Sequence, residues 1–561
     1  MLLEHEKFCW GSFLKNTICT ISCGLLSLAY VGLFAGSASW NVDGNGNWIK
    51  ESNWVPSSGL NTEYPNGRND IAIFPPFKIT KPRTITVDGT FDLGSLNFNT
   101  EYRYILTSGQ LNIYDSISVI GKAEIKSNLV LQDSSDKCSP PNSDCPPNNK
   151  CSPPSGKCVQ TNRECPPPKC SDPNSISIMV TGTGNCAPDN GNLAISGNIS
   201  GVGGITKQGE GKLKFSGQNS YLGMTIFQSG VVLGGAVNTF SPNSGVIIAN
   251  TSGVVFDLNN FDNRIASLAG GGNLGGNINL GSGTLTLGDK CNTVYAGAIF
   301  GSGGLTKVGA GIFVLSGNTS TYSGMTMIEE GTLQAGICNA FSGSSKVVLA
   351  NNDGAVLNLC GYDNHVPSLN GGGMFGGDVV LGNATLTLGD ETNSLFEGSI
   401  FGTGSIVKQG TGVLSLTRTN IYTGPTTVSM GTLDLSGLIT SPTTIQPGAT
   451  LQGNGIIVGD LIVSGFFKPN NMTLIGNCSL QAGSTLEIGM CAEAGCLLTS
   501  GTFTIGDDVL LSIVASGSFT PGTAYEIVSA AGGIIGSFSK MPFPEKFIIK
   551  TSPHSITIEM K

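Results

Sequence analysis

Apolar and polar residues alternate over short stretches along most of the chain. Typical pairs two positions apart are Leu213 with Phe215 and Phe313 with Leu315. Glycine or an Asn-Gly-type turn interrupts the alternation every few residues. A period of two over four or five residues predicts half-buried β-strands joined by tight turns, not helices.

One sequence pattern occurs three times, with copies that begin at Gly201, Gly301 and Gly402. The first copy reads GVGGITKQGEGKLKFSGQNSYLGMTIFQSGVV. Similarity continues between the copies, since residues 267–289 match 368–390, so the repeated unit is about 100 residues long. Equivalent residues in the three copies include Lys207, Lys307 and Lys408, and Tyr221, Tyr322 and Tyr422.

Strands this short cannot bury a core alone, but stacked turns of a repeat protein build one continuous core. The sequence therefore predicts an all-β fold, a parallel β-helix (solenoid). From Ser171 to Lys561 it would hold roughly 16–19 turns at ~20–24 residues each, about 80–90 Å in length. A row of β-sandwich domains of about 100 residues is the competing architecture. The short strands and the many glycines argue against it.

The repeat, G-x-G-G-[LI]-T-K-x-G-x-G followed by S-G-x-N-x-x-Y-x-G-x-T and ending in G-T-L, resembles the autotransporter-associated β-strand repeat of bacterial surface proteins. The third copy departs from it at Ser405 and Arg418. Residues 448–488 resemble the last turns of such passenger regions, and the tryptophan-rich stretch 40–54 resembles their beginnings. The resemblance implies a right-handed β-helix that is exported to the cell surface.

Five segments are predicted along the chain. Residues 1–39 resemble a signal peptide because Lys7 and Lys15 precede an apolar core, and small residues follow around Ala38. The 126 residues after the third copy contain eight aromatic side chains, which is too few for an outer-membrane barrel, so we expect a passenger without that barrel. The predicted segments are a signal peptide (1–39), an N-terminal β region and solenoid cap (40–131), a Cys/Pro-rich insert (132–171), the β-helix (172–500) and a C-terminal β cap (501–561).

The insert contains six cysteines and nine prolines between Cys138 and Cys170. Proline cannot donate to a strand ladder, so the insert should lie outside the solenoid. An exported chain permits disulfides, whereas a zinc site is less well supported because no Cys-x-x-Cys pair or histidine is present. The predicted disulfide cysteines are Cys138, Cys145, Cys151, Cys158, Cys165 and Cys170.

Composition and charge exclude several functional classes. Glycine accounts for 81 of 561 residues, and charged residues for only 12%. The net charge of −9 without a basic run makes a nucleic-acid partner improbable. Only three histidines occur, which is too few to favour a Ser-His-Asp catalytic site or a multi-histidine metal site. We predict no cofactor and no metal site.

Carboxylates are the only serious candidates for catalysis, because parallel β-helices also host enzymes that act on polysaccharides. Asp289 and Asp390 are repeat-equivalent and should lie roughly 20 Å apart, too far to act on one bond. Asp257, Asp262 and Arg264 form a local charged group. Turn capping is the ordinary role for such aspartates.

Other motifs have structural explanations. The sequences GGGNLG (270–275) and GGGMFG (371–376) match a dinucleotide-binding pattern, but neither opens an amphipathic helix, so both are predicted to be turns. The segment from Asp43 lacks the glycine and glutamate of a calcium loop. Trp40, Trp48 and Trp54 are predicted to cap the first turn of the solenoid instead of stacking on sugars.

The sequence thus predicts an exported structural protein, most simply an adhesin with no catalytic residues. We expect a host or neighbouring cell-surface ligand, protein or glycan, and a separate outer-membrane translocator. A polysaccharide lyase or hydrolase, or a disulfide-linked envelope component, is the alternative.

Overall fold

The computed structural model is nearly all β-structure, with one short 3₁₀ turn at Glu51–Asn53. Parallel strands stack into a β-solenoid of about 18 turns. This confirms the predicted parallel β-helix, and the β-sandwich alternative is wrong. The structure describes residues 36–561 apart from 58–59, 61–62, 77–78, 133–174, 182–190, 318, 491–496, 516–521 and 542–545.

Parallel stacking begins near the start of the described chain. Gly67–Phe74 pairs with Thr90–Thr107, which pairs in turn with Gln110–Ile125. The ladder then continues through Ser175–Thr181 to the first sequence repeat. The strands of this N-terminal region are Ser37–Trp40, Gly46–Asn47, Trp54–Pro56, Gly67–Phe74, Arg83–Thr86, Thr90–Thr107, Gln110–Ile125, Asn128–Leu131, Ser175–Thr181, Asn192–Ile195 and Ile199–Gly201.

From residue 204 onward each turn has three sides, which we call face 1, face 2 and face 3 in the order in which the chain passes them. Face 1 consists of Gly204–Gln208, Thr225–Phe227, Gly245–Ile248, Ser267–Gly270, Thr293–Tyr295, Ile312–Leu315, Thr332–Ala335, Val356–Asn358, Asp378–Val380, Ile400–Phe401, Thr419–Asn420, Leu438–Ile439, Ile456–Val458, Met472–Ile475, Leu497–Thr499 and Ala524–Ala530. Face 2 consists of Lys212–Phe215, Val231–Gly234, Val255–Asp257, Asn277–Gly281, Ile299–Gly301, Asn364–Val366, Thr385–Leu388, Ser405–Lys408, Thr426–Val428, Thr443–Ile445, Leu461–Val463, Cys478–Leu480, Phe503–Ile505 and Ile534–Ile535. Face 3 consists of Asn263–Ile265, Leu285–Leu287, Leu305–Lys307, Thr326–Ile328, Val347–Leu349, Leu369–Gly371, Ser394–Phe396, Val413–Leu416, Thr432–Leu435, Thr450–Gly453, Phe466–Pro469, Thr485–Met490 and Leu510–Ala515.

The core runs along the axis of the solenoid because alternate side chains point inward from all three faces. Leu213, Phe215, Phe313 and Leu315 are at most 2% exposed, as their period-two spacing predicts. The length of a turn varies: Thr450 pairs with Phe466, sixteen residues later, whereas Gly270 pairs with Tyr295, twenty-five residues later. The variation lies in the connections, which we call corners 1/2, 2/3 and 3/1 after the faces that they join.

Buried asparagine side chains connect successive turns where regular strand pairing is short or missing. Asn219 accepts a hydrogen bond from the amide of Ile199 on the preceding turn (2.8 Å) and donates one to the carbonyl of Thr239 on the next (2.6 Å). In the third repeat Asn420 likewise accepts a bond from the amide of Ile400 (3.0 Å). These bonds satisfy backbone groups where the strand ladder is interrupted.

Both ends of the described stack are closed. Trp40, Trp48 and Trp54 are at most 4% exposed, and the Trp40 and Trp54 rings meet edge to face at 5.3 Å. They therefore pack as a cap over the first turns, as predicted. At the other end Ala524–Ala530, Ser555–Met560 and Phe547–Thr551 pair antiparallel, which ends the parallel ladder.

The predicted segment boundaries stay predictions. The six insert cysteines and residues 1–35 of the proposed signal peptide lie outside the described residues. The first strand begins at Ser37, and Ala38 is buried and pairs with Ala72. Cleavage after Ala38 would therefore remove half of this strand.

Candidate functional site

Each repeat contains one lysine whose side chain is buried in the solenoid. Lys207, Lys307 and Lys408 are at most 2% exposed. The ammonium of Lys307 donates hydrogen bonds to the carbonyls of Val308 (2.9 Å), Gly309 (2.6 Å) and Glu330 (3.0 Å). The first two carbonyls close the corner after the strand and the third belongs to the next turn, so this lysine connects two turns.

Burial strongly affects the ionisation of these lysines. It lowers the pKa of Lys207 and of Lys307 to about 8, although Glu330 and Asp289 partly oppose the shift at Lys307. Burial also lowers the pKa of Lys408. The alignment of these lysines is visible in the sequence, but their burial was not predicted, because lysine is almost always exposed.

A buried chain of hydroxyl groups accompanies each lysine. The Tyr322 hydroxyl is 2.7 Å from Thr326 Oγ1, which is 2.7 Å from Ser345 Oγ, and Ser345 donates to the carbonyl of Gly324 (2.6 Å). Burial raises the pKa of Tyr322, as it does for the equivalent tyrosines. The tyrosines therefore pack in the core, as predicted, and do not form a ligand platform.

Equivalent residues of successive repeats lie on different faces. Lys207 pairs with Phe227 on face 1, Lys307 with Leu287 on face 3, and Lys408 with Leu388 on face 2. One repeat contains twelve strands and two extended segments without regular pairing, which together are fourteen sides. Since three sides make one turn, one repeat covers four and two-thirds turns. Each repeat is therefore rotated by one face relative to the last.

This rotation places the two candidate carboxylates on different corners, in addition to their predicted separation along the axis. Asp289 lies at corner 3/1, whereas Asp390 lies at corner 2/3 beside Lys346 (3.8 Å). Each caps its own turn: Asp289 Oδ1 accepts a bond from the amide of Cys291 and Asp390 Oδ1 one from that of Thr392, both 2.7 Å. The two carboxylates do not converge on one site.

The other predicted charged group also consists of turn caps. Asp257 Oδ1 accepts a bond from the amide of Asn259 (2.7 Å), and Asp262 Oδ1 one from the amide of Thr284 (2.7 Å). Among the described residues, no group of three His, Cys, Asp or Glu side chains is placed to hold a metal ion. At Asp43 the bonds from Arg83 and Thr80 lower the pKa of the carboxyl group.

The two glycine-rich motifs form matching hairpin loops on the surface, loop 271–276 and loop 372–377. Gly272 and Gly275 exchange backbone hydrogen bonds (3.0 and 3.3 Å), and an antiparallel bridge joins Gly373 to Gly376. The tips project apolar side chains into solvent: Leu274 is 71% exposed, Met374 68% and Phe375 69%. The motifs are turns, as predicted, but the exposure of their tips was not predicted.

The preceding turn holds each loop in place. Asn250 Oδ1 accepts a bond from the amide of Leu274 (2.9 Å), and Asn351 Oδ1 one from the amide of Phe375 (2.7 Å). Glycine is required where the loops meet that turn, since a Cβ on Gly275 would lie 2.1 Å from the carbonyl oxygen of Thr251. The apolar tips are therefore presented on a fixed backbone.

Both loops border face 1. Loop 271–276 lies at corner 1/2, and loop 372–377 lies at corner 3/1, four and two-thirds turns further along. Beside the first loop is a depression of about 340 Å³ lined by residues that include Leu274, Ala296 and Ala298. The four face 1 strands between the loops contain no charged residue: Thr293–Tyr295, Ile312–Leu315, Thr332–Ala335 and Val356–Asn358.

Corner 3/1 collects acidic side chains along the same stretch. Glu329 and Glu330 are exposed on one turn and Asp353 on the next. The tip of loop 372–377 follows, and Glu397 is exposed one turn beyond it. The second apolar tip therefore has carboxylates on the turns before and after it.

Cysteines and membrane-spanning helices add no further site. In the described part of the chain Cys338 is exposed and unpaired, and burial raises the pKa of the Cys478 thiol. None of the helical structure described there is long and apolar enough to cross a bilayer.

The three lysine-containing repeats of the solenoid resemble the repeats of passenger-type autotransporter proteins. The Passenger-associated-transport-repeat matches residues 205–233, 305–335 and 406–435, the three copies found by inspection. The chain is also 35% identical over 267 residues to the "Adhesin BmaC autotransporter" of Brucella suis biovar 1 (strain 1330). That match covers 47% of this chain but only 7% of the relative's length.

Proposed function

We propose that the chain is an exported, non-enzymatic passenger that mediates adhesion at the bacterial surface. The observation that carries the proposal is the pair of apolar loop tips, whose Leu274, Met374 and Phe375 are the most exposed large apolar side chains in the described part of the chain. The repeats and the relative named as an adhesin support the same role.

The carboxylates favour a binding protein over an enzyme. Asp257, Asp289 and Asp390 each accept a hydrogen bond from the backbone amide two residues later, which is a structural use of these groups. Asp262 accepts one from the amide of Thr284 on the next turn. A glycosidase instead needs two carboxyl groups about 5 to 9.5 Å apart across one groove.

Export is part of the same proposal, with a separate translocator and a host or neighbouring cell-surface molecule as partners. Deleting the gene should reduce attachment of the bacteria to host cells, and the full chain supplied in trans should restore it. Cell fractionation should find the chain in the envelope or medium. Unchanged attachment together with a purely cytosolic chain would overturn the proposal.

A further inference from the structure

A flat partner lying on face 1 would contact both apolar loop tips at once. Leu274 lies at one edge of this face, and Met374 and Phe375 lie at the other. The separation of four and two-thirds turns corresponds to about 22 Å along the axis, at ~4.8 Å per turn. Because of the rotation between repeats, the two loops border a common face instead of lying in line along one corner.

The face between the loops suits a broad contact. Its outward column runs Val294, Val314, Gln334, Asn358, with Val294 40% exposed. The amide of Asn358 donates to Gln334 Oε1 (3.2 Å), so these polar side chains are held against the sheet. A partner would not have to desolvate an ionised group there, which is the expensive part of burying a polar surface.

Charge complementarity identifies the partner. Asp353 and Glu397 flank the Met374 and Phe375 tip on the turns before and after it, and Glu329 and Glu330 extend the acidic corner. The exposed basic residues of this corner lie outside the acidic stretch, with Lys290 before it and Arg418 on the turn after Glu397. An apolar contact rimmed by lysine or arginine would pair with these carboxylates, whereas an anionic surface would be repelled.

We propose that face 1 between loop 271–276 and loop 372–377 docks a protein surface whose apolar side chains are rimmed by basic residues. This proposal rests on the adhesive function above and names its class of partner. The fixed loop backbones make the three apolar tips preorganised anchors, which lose little conformational freedom on binding. A lipid bilayer or a second copy of this chain, whose net charge is also −9, is the competing occupant.

The test measures binding of a ten-residue peptide of alternating leucine and lysine to the purified full chain by fluorescence anisotropy. The variant Leu274→Ser/Met374→Ser/Phe375→Ser should weaken binding at least tenfold. A matched control, Ile462→Ser/Ile535→Ser, removes exposed apolar side chains from face 2 and should bind as the parent does. An equivalent leucine–glutamate peptide should bind at least tenfold more weakly.

A second variant tests the charges separately. Glu329→Gln/Asp353→Asn/Glu397→Gln should weaken binding of the leucine–lysine peptide and flatten its dependence on salt. Equal binding of the two peptides, or no effect of either set of substitutions, would overturn the proposal. Loop-dependent binding to phosphatidylcholine vesicles, or loop-dependent self-association in sedimentation, would overturn it in favour of the competing occupants.

Adhesion assays separate this proposal from the proposed function. If the gene deletion abolishes attachment but the triple-serine variant attaches normally, the docking face is wrong and the adhesive function stands. If the deletion has no effect on attachment, the proposed function fails even where the peptide binds. Circular dichroism of the serine variant should match the parent, because all three tips are exposed.

Discussion

The buried lysines make a testable prediction about stability, best examined at Lys307. The substitution Lys307→Met keeps most of the apolar stem and removes the ammonium. Its three carbonyl acceptors then lose their donor, at about 1 to 3 kcal/mol each. The substitution also removes the cost of burying a charge, about 3 kcal/mol for a pKa lowered from 10.5 to about 8. The loss of three bonds outweighs the regained burial cost, so at pH 7 we expect a net loss of stability of about 3 kcal/mol, and at most about 6 kcal/mol.

The pH dependence separates these two effects. Below pH 8 the lysine is protonated in both the folded and the unfolded chain, so the cost of burial is fully present. Between pH 8 and 10.5 the unfolded chain binds the proton and the folded chain does not, so stability rises with pH. The free energy of unfolding of the parent should rise relative to Lys307→Met by about 2 kcal/mol from pH 7 to 9.5.

Urea unfolding followed by circular dichroism measures this difference for the parent, Lys307→Met and the control Lys290→Met, which alters an exposed lysine at the same corner. The comparison ends at pH 9.5 because the buried tyrosines, whose pKa values are raised, begin to lower stability above about pH 10. Parallel pH profiles for the parent and Lys307→Met would refute the reasoning. They would mean that the three carbonyl bonds to the charged form fully offset its burial.

Three further predictions concern the solenoid. Leu315→Asp should unfold the surrounding turns because it buries an unpaired charge. The control Val314→Asp alters an outward side chain and should change the urea midpoint little. Equal effects of the two substitutions would contradict the assigned register. Gly331→Ala should destabilise the chain by more than about 1 kcal/mol. At this position φ is +71°, and the new Cβ would lie 2.6 Å from the Lys307 amino group. An unchanged urea midpoint would count against that contact. Deleting 133–174 should leave the melting of the repeats nearly unchanged, and non-reducing mass mapping should find the insert cysteines disulfide-bonded; free thiols or bound metal would argue for a metal site.

Much of the fold was predictable because the same local pattern recurs. Leu213 and Phe215 point inward as their alternation requires, and the repeat of about 100 residues favours stacking over separate domains. The cap function of Trp40 was predictable because a repeat protein must cover its first turn. In each case the local pattern and the packing agree, which is when a sequence alone is informative.

The features that sequence reasoning missed depend on contacts between turns. Lys207 and its equivalents are polar residues in core positions, and only their alignment in three copies, two residues before a glycine, signals a structural role. The exposure of Leu274 and Phe375 depends on how each loop rests on the preceding turn. The sequence signal for this exposure was an apolar residue at the centre of each glycine-rich turn, which a buried turn would also show.

The rotation between repeats follows from counting strands. If a repeat contained a whole number of three-sided turns, equivalent loops would lie in line along one corner. They would then not lie on opposite edges of the same face. Fourteen sides leave a remainder of two, so each equivalent feature moves to another corner. Loop 271–276 and loop 372–377 consequently face each other across face 1, although they are copies of one motif. Two of the fourteen sides, near Tyr221 and Phe240, lack regular strands, so the number of sides could not be counted from the strand pattern of the sequence. A change of one side in the length of a repeat would therefore relocate the binding surface without altering any residue in it.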